Sequence, residues 1–243
     1  MITIDATLES WDAWAPGHET QQQWQQWNGD ISQINSQGTP EVKFLPAMFR
    51  RRLSRLSKLA LSSAFNCIEQ GESVSTVFAS SHGELSTCVK LLENLASDSE
   101  LSPTKFSTSV HNTASGMYSI ANKDRSPSTS IAAGIDTLEM AFIEAASQLA
   151  THKQSKVMLV LAEEPVHEYY QQYAQLPEKP FALTLLLSNK NTGNKLTLST
   201  NSSSAAAAQQ QHGLSLIRLL SGAEKNINTE GGRLSWNWNY SLA

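Results

Sequence analysis

The stretch from residue 102 to residue 140 has the residue types and spacing that could do chemistry. Within it, the run SPSTSIAAGIDTLEM takes a short β-branched strand directly into a helix, with the break at Ala132-Ala133-Gly134. A strand that turns sharply into a helix presents a side chain at the helix N-terminus, where free backbone N–H groups and the helix dipole favour negative charge. Many acyl-transfer enzymes hold a nucleophile on such an elbow. The tip of this elbow carries no nucleophilic side chain.

A second candidate for chemistry is the run Ser80-Ser81-His82, in which a serine lies next to a histidine. A serine beside a histidine suggests hydrolase chemistry. Adjacent side chains rarely point at each other, however, and a catalytic triad is defined by the spatial roles of its residues. The run lies between a predicted strand and a predicted helix. We therefore interpret it as a turn that caps the helix.

A third candidate is the carboxylate pair Glu163-Glu164, which follows a predicted strand and could serve acid–base catalysis. Adjacent side chains on an extended chain point in opposite directions, and Pro165 marks the start of a loop. We interpret the pair as solvated loop charge.

The sequence predicts no metal and no cofactor. It contains no phosphate-binding loop and no G-x-G-x-x-G run that opens a helix after a strand, so nucleotide binding is unsupported. No histidines or cysteines have metal-ligand spacing. We interpret His111, beside Asn112, as a polar residue satisfied at an interface. The other histidines are predicted in loops or polar turns: His18, His82, His152, His167 and His212.

Composition limits the class of protein. The chain has 243 residues, 40% of them hydrophobic, which is enough for one large core, so we predict one domain over residues 1–243. A net charge of −4 and a pI near 5.9, with the only basic cluster at Arg50–Arg52, predict no binding to nucleic acid. No run of 18 apolar residues and no secretory signal occur, so we expect a cytoplasmic protein without a membrane span.

Hydrophobic periodicity predicts alternating strands and helices. The predicted strands are Ile2–Leu8, Val74–Ala79, Ser128–Ala133, Val157–Ala162, Phe181–Leu187, Lys195–Thr200 and Arg233–Tyr240, and the predicted helices are Phe49–Gln70, Glu84–Ala96, Val110–Met117, Ile135–Ala150 and a short one from Leu214. This order predicts an α/β fold with a mixed central sheet.

Three further features belong to this prediction. The turn signal Asn191–Asn194 predicts a hairpin between the strands on either side of it. The tryptophans of the loop after the first strand are expected to pack in the core. Residues 202–211 are of low complexity and precede the C-terminal helix and strand, whose aromatic face is expected to pack on the sheet.

Several motifs resemble the condensing-enzyme (ketosynthase, thiolase-fold) family over roughly residues 1 to 190. The matching positions are Asn112 and Gly116 of an N-x-x-x-G helix and Pro127, Ser128, Ser130, Ile131 and Ala132 of a G-P-S-x-S-I-A strand. Upstream, Arg51–Ala60 is similar to the family's R-x-x-R-x-x-x-L-A helix, and Val77–Leu85 to its strand-to-loop signature. The run S-P-T-x-F-S-x-S-V-H-N looks most like chain-length factors of bacterial aryl-polyene pathways.

This resemblance implies a truncated thiolase-like fold, mainly its N-terminal half, with helices on both faces of the sheet. It places Ile135, or Ile131 in a register one turn earlier, where the family has its catalytic cysteine. It implies a non-catalytic chain-length factor that pairs with a full-length ketosynthase, which brings the cysteine and two histidines. An acyl carrier protein would serve the complex.

By the same resemblance, one group of residues walls the shared acyl tunnel or forms the subunit interface. They are Phe106, Val110, His111, Asn112, Thr113, Met117, Ser130 and Ile131. Phe106 and Met117 are large enough to form the tunnel floor.

Two other functions compete with this interpretation. The first is an active enzyme, either a condensing enzyme with Ser130 or Thr137 as nucleophile or an acyl hydrolase that uses Ser80 or Ser81 with His82. The second is a homodimeric acyl-binding scaffold without a synthase partner.

Overall fold

The computed structural model describes residues 2–69, 71–151, 155–174, 177–202 and 211–242. Its strands are β1 (Thr3–Trp14), β2 (Ser75–Ala79), β3 (Ser128–Ile131), β4 (Lys156–Glu163), β5 (Phe181–Ser188), β6 (Lys195–Ser202), β7 (Asn226–Glu230) and β8 (Leu234–Ser241). These eight strands of the described ranges form one sheet in the order β3-β2-β4-β5-β1-β6-β8-β7. β2 runs parallel to β3 and β4, whereas the other neighbours are antiparallel. The predicted α/β fold with a mixed central sheet is confirmed.

Helices cover both faces of this sheet. They are α1 (Gln21–Gln26), α2 (Ala47–Arg50), α3 (Arg55–Cys67), α4 (Leu85–Ala96), α5 (Pro103–Ser107), α6 (Thr113–Asn122), α7 (Thr137–Thr151) and α8 (His212–Leu220), with single 3-10 turns at Ile31–Gln33, Gly134–Asp136 and Glu168–Tyr170. The core on one face includes residues of α3 and α6, and the core on the other includes residues of α7 and α8. The two-sided arrangement implied by the resemblance is confirmed.

Strands β4 and β5 in the middle of the sheet are almost entirely apolar, because both of their faces are covered. Every residue of β5 is buried, and so is every residue of β4 after Lys156. Successive side chains of a strand point to opposite faces, so Met158 and Val160 enter one core while Leu159 and Leu161 enter the other. Continuous hydrophobic runs are typical of strands that are covered on both faces.

The predicted hairpin between β5 and β6 is wrong, because β1 lies between these two strands. β1 pairs with β5 on one side and with β6 on the other. Ser188, the last residue of β5, and Lys195, the first residue of β6, both lie opposite Thr7 of β1. The connection crosses β1 at this residue, and the Thr7 hydroxyl donates to the carbonyl of Lys190 at 2.6 Å. The turn signal Asn191–Asn194 therefore marks a crossing between two parallel strands.

The predicted helix Phe49–Gln70 is two helices, α2 and α3. A turn separates them, and Ser54 starts the second helix, because its hydroxyl accepts from the N–H of Ser57 at 2.9 Å. Within α4, the buried residues are Val89 and Leu91, whereas Leu92 is 56% exposed.

As predicted, Trp24 and Trp27 of the loop after the first strand are buried, and so are Trp236 and Trp238 of β8. The first strand is longer than predicted, so Trp11 and Trp14 lie in β1 and not in the loop; Trp14 is buried and Trp11 is half-buried. β7, for which the periodicity predicts no strand, pairs with the outer side of β8. β7 is short and polar, and only its alternate residues are buried. The low-complexity segment lies largely outside the described residues.

No helix in the described ranges combines the length and the apolar character needed to cross a membrane.

Candidate functional site

The elbow has the predicted sharp geometry. β3 ends at Ile131, and the chain passes through Gly134, at φ +59°, into a 3-10 turn and then α7. This left-handed backbone conformation favours glycine, because other residues meet a steric penalty there. The Thr137 hydroxyl accepts from the N–H of Ala133 at 3.0 Å and donates to the carbonyl of Gly134 at 2.7 Å. Thr137 therefore closes the turn.

The side chains at the elbow tip are apolar or already engaged. Ile135 is half-buried and lines a small cavity beneath the turn, and Ile131 packs against the hydrophobic core. Thr137 is only 2% exposed, and its hydroxyl is engaged by the N–H of Ala133 and the carbonyl of Gly134 in the turn and by the hydroxyl of Ser81, which donates to it at 3.4 Å. No group at the tip has the free, activated form that nucleophilic catalysis needs.

The cavity beneath the elbow has a volume of about 40 Å³. That volume is room for about two or three water molecules and is too small for an acyl chain. Its polar lining comes from Ser81, Glu163 and His212, and its apolar lining from Ile135 and Phe181, among others. The residues that line the cavity are far apart in the sequence.

Glu163 is buried, and the interpretation of Glu163-Glu164 as solvated loop charge is wrong. β4 continues through Glu163, so its side chain stays inside the fold. Its carboxylate accepts from the N–H and the hydroxyl of Ser81, each at 2.8 Å, and from the hydroxyl of Ser80 at 3.2 Å. Burial raises the pKa of Glu163 to about 7, although these hydrogen bonds act in the opposite direction. Glu164 is half-buried and lies 3.8 Å from Nε of Arg55.

The loop of Ser80 and Ser81 is a turn, as predicted, but it does not cap α4. The Ser80 hydroxyl accepts from the N–H of Gly83 at 3.0 Å, and α4 begins without a side-chain cap. The nearby carboxylate of Glu84, only 2% exposed, accepts from the hydroxyls of Ser54 and Thr87 at 2.6 and 2.8 Å. Sequence reasoning gave no sign of this buried acid.

His111 supports the same loop from outside. Its Nε2 lies 2.8 Å from the carbonyl of Ser80, and an added Cβ on Gly83 would lie 2.7 Å from ring atom Cδ2. The histidine thus packs against a glycine and donates to the backbone of the same loop. Its place at a subunit interface stays a prediction.

A second buried polar cluster connects the elbow helix to the C-terminal strands. Asp136 accepts from Nε1 of Trp236 at 2.8 Å, and Glu139, three residues later on the same helical face, accepts from Nε1 of Trp238 at 3.2 Å. Nδ1 of His212 lies 3.0 Å from Glu139 Oε2. His212 begins α8 and is buried, so its predicted loop position is wrong. The paired spacings D-x-x-E and W-x-W were the only sequence signal for this cluster.

The residues predicted to wall a tunnel separate into two groups. Phe106 and Val110 are exposed, at 68% and 51%, and Asn112 is also exposed. Thr113 and Met117 are buried, and Met117 packs in the core beneath α6. The first group can meet another molecule directly, whereas the second supports the backbone from behind. The remaining members are half-buried: His111, Ser130 and Ile131.

β3 forms one edge of the sheet. The N–H of Thr76 donates to the carbonyl of Pro127, and the N–H of Ser80 to that of Ile131. In a parallel ladder this register directs the backbone groups of residues 127, 129 and 131 to β2, and those of Ser128 and Ser130 outward. Beside this edge, Gly116 of α6 has no atom within 4 Å of an added Cβ.

Within the described ranges, no group of three or more histidine, cysteine, aspartate or glutamate side chains is arranged to hold a metal ion.

Several solved structures with the same fold are ketosynthases or complexes that contain them. A chain of "Ketosynthase (ApeO) in Complex with its Chain Length Factor (ApeC)" from Xenorhabdus doucetiae is 29% identical, with 98% of this chain and 100% of that chain covered and a TM-score of 0.83. "The ishigamide ketosynthase/chain length factor" matches at 14% identity, 82% and 67% coverage and a TM-score of 0.66. A beta-ketoacyl synthase from Burkholderia phymatum STM815 matches at 12% identity, 91% and 71% coverage and a TM-score of 0.60.

No curated protein shows significant similarity to the chain. Residues 24–239 match the family described as "Beta-ketoacyl synthase, N-terminal domain", which is most of the chain. The structural likeness agrees with this match. The chain therefore belongs to the beta-ketoacyl synthase N-terminal domain family.

Proposed function

We propose that the chain is a non-catalytic chain-length factor, which pairs with a full-length ketosynthase and shapes its acyl tunnel in aryl-polyene biosynthesis. The observation that carries this proposal is the elbow, where Ile135 stands at the tip and the Thr137 hydroxyl is bound to the backbone. A condensing enzyme needs a nucleophile at this position. The chain thus has the fold of a condensing enzyme but lacks a nucleophile at the elbow.

The charges around the elbow also oppose catalysis here. Asp136 ends the 3-10 turn directly before α7, where the helix dipole would otherwise favour a developing oxyanion. A negative side chain at this end of the helix disfavours a second negative charge. The elbow of this chain is therefore suited to structural support.

The similarity to a chain of the ApeO–ApeC complex supports a role as one subunit of such a pair. The matched chain of that complex is covered completely and has about the length of this one. In contrast, this chain covers only 42% of a bacillaene-synthase ketosynthase from Bacillus subtilis, with a TM-score of 0.57. A partner of full length would supply what an active ketosynthase needs.

The interface in this proposal is centred on β3. The outward backbone groups of Ser128 and Ser130 lack a strand neighbour in the described part of the chain, and an open strand edge readily pairs with another strand. Gly116 leaves room for close approach, and Ile120, 62% exposed on the same helix, adds apolar surface. Together they suit a large interface with an apolar centre.

The tunnel wall in this proposal consists of Phe106 of α5 and of Val110 and Asn112, which lie between α5 and α6. They are exposed in the isolated chain, so a partner's acyl pocket can meet them directly. Thr113 and Met117 hold this segment in place from the core. Acyl carrier protein would bring the growing chain to the complex.

Co-expression with a full-length ketosynthase, followed by native mass spectrometry, tests the assembly. We expect a one-to-one complex, with condensing activity in the mixture and none in this chain alone. A stable homodimer that ignores the ketosynthase would support the scaffold alternative. Turnover by this chain alone would support an active enzyme.

A further inference from the structure

His212 is buried between two hydrogen-bond acceptors. The residue is 5% exposed and begins α8. Its Nδ1 lies 3.0 Å from Oε2 and 2.9 Å from Oε1 of Glu139, and its Nε2 lies 3.2 Å from the backbone carbonyl of Glu230. A carboxylate and a carbonyl can only accept. Both ring nitrogens therefore face groups that require a donor.

This geometry identifies the protonation state of the ring. A neutral imidazole offers one N–H and one lone pair, so it can satisfy only one of the two contacts, whereas the imidazolium ion satisfies both. Glu139, 0% exposed, also accepts from the hydroxyl of Thr229 at 3.3 Å and from the indole of Trp238. Three side chains thus donate hydrogen bonds to the carboxyl group of Glu139.

The charged groups facing the ring agree with this assignment. Burial alone lowers the pKa of His212, but the hydrogen bond and the negative charge of Glu139, the carbonyl of Glu230 and the charge of Asp136 together raise it above the ordinary value of 6.5. Asp136 ends the 3-10 turn before α7, Glu139 belongs to α7, and Glu230 belongs to β7. Glu163 of β4 lines the same cavity.

The pair joins two parts of the fold. Glu139 lies in the first turn of α7, directly after the elbow, and His212 begins the C-terminal unit, which comprises α8, β7 and β8. Asp136 adds bonds from the indole of Trp236 and from the N–H of Gly232 at 3.0 Å. The elbow helix therefore holds the C-terminal unit through two carboxylates, of which one is paired with a titratable cation.

We propose that Glu139 and His212 form a buried ionic latch, which fastens the C-terminal unit to the elbow helix and loosens when His212 loses its proton. Loss of the proton leaves one ring nitrogen with its lone pair directed at an acceptor. The proposal is independent of the partner and of the chain-length role.

The sign of the pH dependence follows from linkage. A histidine whose folded-state pKa is raised contributes stability that is fully present below the pKa of the open state and is lost as the pH rises through the folded-state pKa. Between these two values, the opening constant of the C-terminal unit should rise about tenfold per pH unit. Below pH 6 the latch should be fully closed, in accordance with the ordinary value of 6.5.

A proton NMR titration of the full chain, with His212→Asn used to assign the resonance, measures the latch directly. We expect the His212 midpoint to lie above 6.5 and to move to lower pH in Glu139→Gln, which keeps the shape but removes the charge. Glu144→Gln is the matched control on the same helix, because its carboxylate accepts from Gln148. This control should leave the midpoint unchanged.

Hydrogen exchange of β7 over the same pH range supplies the structural readout, after correction for intrinsic exchange. We expect protection of β7 to fall with rising pH in the wild-type chain and to lose this dependence in Glu139→Gln. A wild-type midpoint at or below 6.5 would overturn the proposal even if the variants failed to fold. Protection of β7 that is independent of pH would overturn it as well.

Discussion

The hydroxyl of Ser81 donates to the buried carboxylate of Glu163 at 2.8 Å and lies 3.1 Å from the carbonyl of Gly134 at the elbow. One side chain thus connects the loop after β2, the end of β4 and the turn after β3. These segments meet beside Ile135, which lines the same cavity as Ser81 and Glu163. In this chain the connection holds the elbow in place, and its central group is an acid that titrates near neutral pH.

We expect Glu163→Gln to stabilise the chain at pH 7.5 and to have little effect at pH 4.5. The carboxyl has a pKa of about 7 in the fold, against 4.5 for a solvated glutamate, so the folded state binds more protons and loses stability as the pH rises between these values. A shift of this size corresponds to as much as about 3 kcal/mol. Glutamine retains an oxygen for the N–H of Ser81, and urea unfolding at both pH values is the measurement.

Glu163→Leu is the matched control, because it removes the charge and the hydrogen bonds together. It should destabilise the chain at pH 4.5 by about 1–3 kcal/mol, since the N–H of Ser81 is left unpaired. An effect of Glu163→Gln that is equal at the two pH values would contradict the assignment of a titrating buried acid.

We expect Thr137→Val to destabilise the chain by about 1–3 kcal/mol, because valine leaves the N–H of Ala133 and the carbonyl of Gly134 without their partner. Thr137→Ser keeps the hydroxyl and should stay near the wild type. The free energy of unfolding in denaturant measures both variants. Equal stability of the valine and serine variants would show that the hydroxyl does not close the elbow.

We expect Ser130→Pro to prevent assembly with a ketosynthase while the isolated chain remains folded. Proline removes an N–H that points away from β2 in the parallel register, so the bonds between β2 and β3 remain. Co-purification yield is the measurement, and circular dichroism verifies the fold. Ser130→Ala retains the N–H and should assemble normally. An undiminished yield of complex with Ser130→Pro would show that β3 does not form the interface.

We expect Phe106→Ala to lengthen the polyene made by the reconstituted complex by one or two two-carbon units. The side chain is 68% exposed, so its loss should change stability by no more than about 0.5 kcal/mol. A longer acyl chain can fill the space, since each buried methylene contributes about 0.8 kcal/mol. The mass distribution of polyene-loaded carrier protein is the measurement.

Tyr173→Ala, which removes another exposed aromatic ring outside the predicted wall, is the control for Phe106→Ala. Met117→Ala removes a buried side chain and should cost about 2–5 kcal/mol of stability, so its product must be compared at a temperature where the complex is intact. Unchanged product length with Phe106→Ala in an intact complex would exclude this residue from the tunnel.

Local features of the fold could be predicted from sequence because one segment determines each of them. β4 and β5 are continuous apolar runs, and Gly134 marks the turn from strand to helix, so both are visible in a short window. The crossing of β1 by the link from β5 to β6 was missed because a turn signal does not show which strand lies beside it. The register at Thr7 depends on residues more than 180 positions away.

The buried acids of the site could not be predicted for the same reason. Glu163 was interpreted as solvated because its partners, Ser80 and Ser81, belong to another segment, and a carboxylate alone gives no sign of burial. Glu139 and His212 are 73 positions apart and meet only because α7 and α8 pack on the same face of the sheet. Charge pairs of this kind are visible only once the tertiary fold is known.

The central claim is that this chain serves a ketosynthase without reacting itself. The measurement is intact-protein mass spectrometry of the co-purified complex after incubation with an acyl thioester. We predict one acyl adduct on the ketosynthase and none on this chain, because Ile135 at the elbow cannot attack and the Thr137 hydroxyl is bound to the turn. An acyl adduct on this chain, lost on substitution of Ser130, Thr137 or Ser81, would contradict the claim.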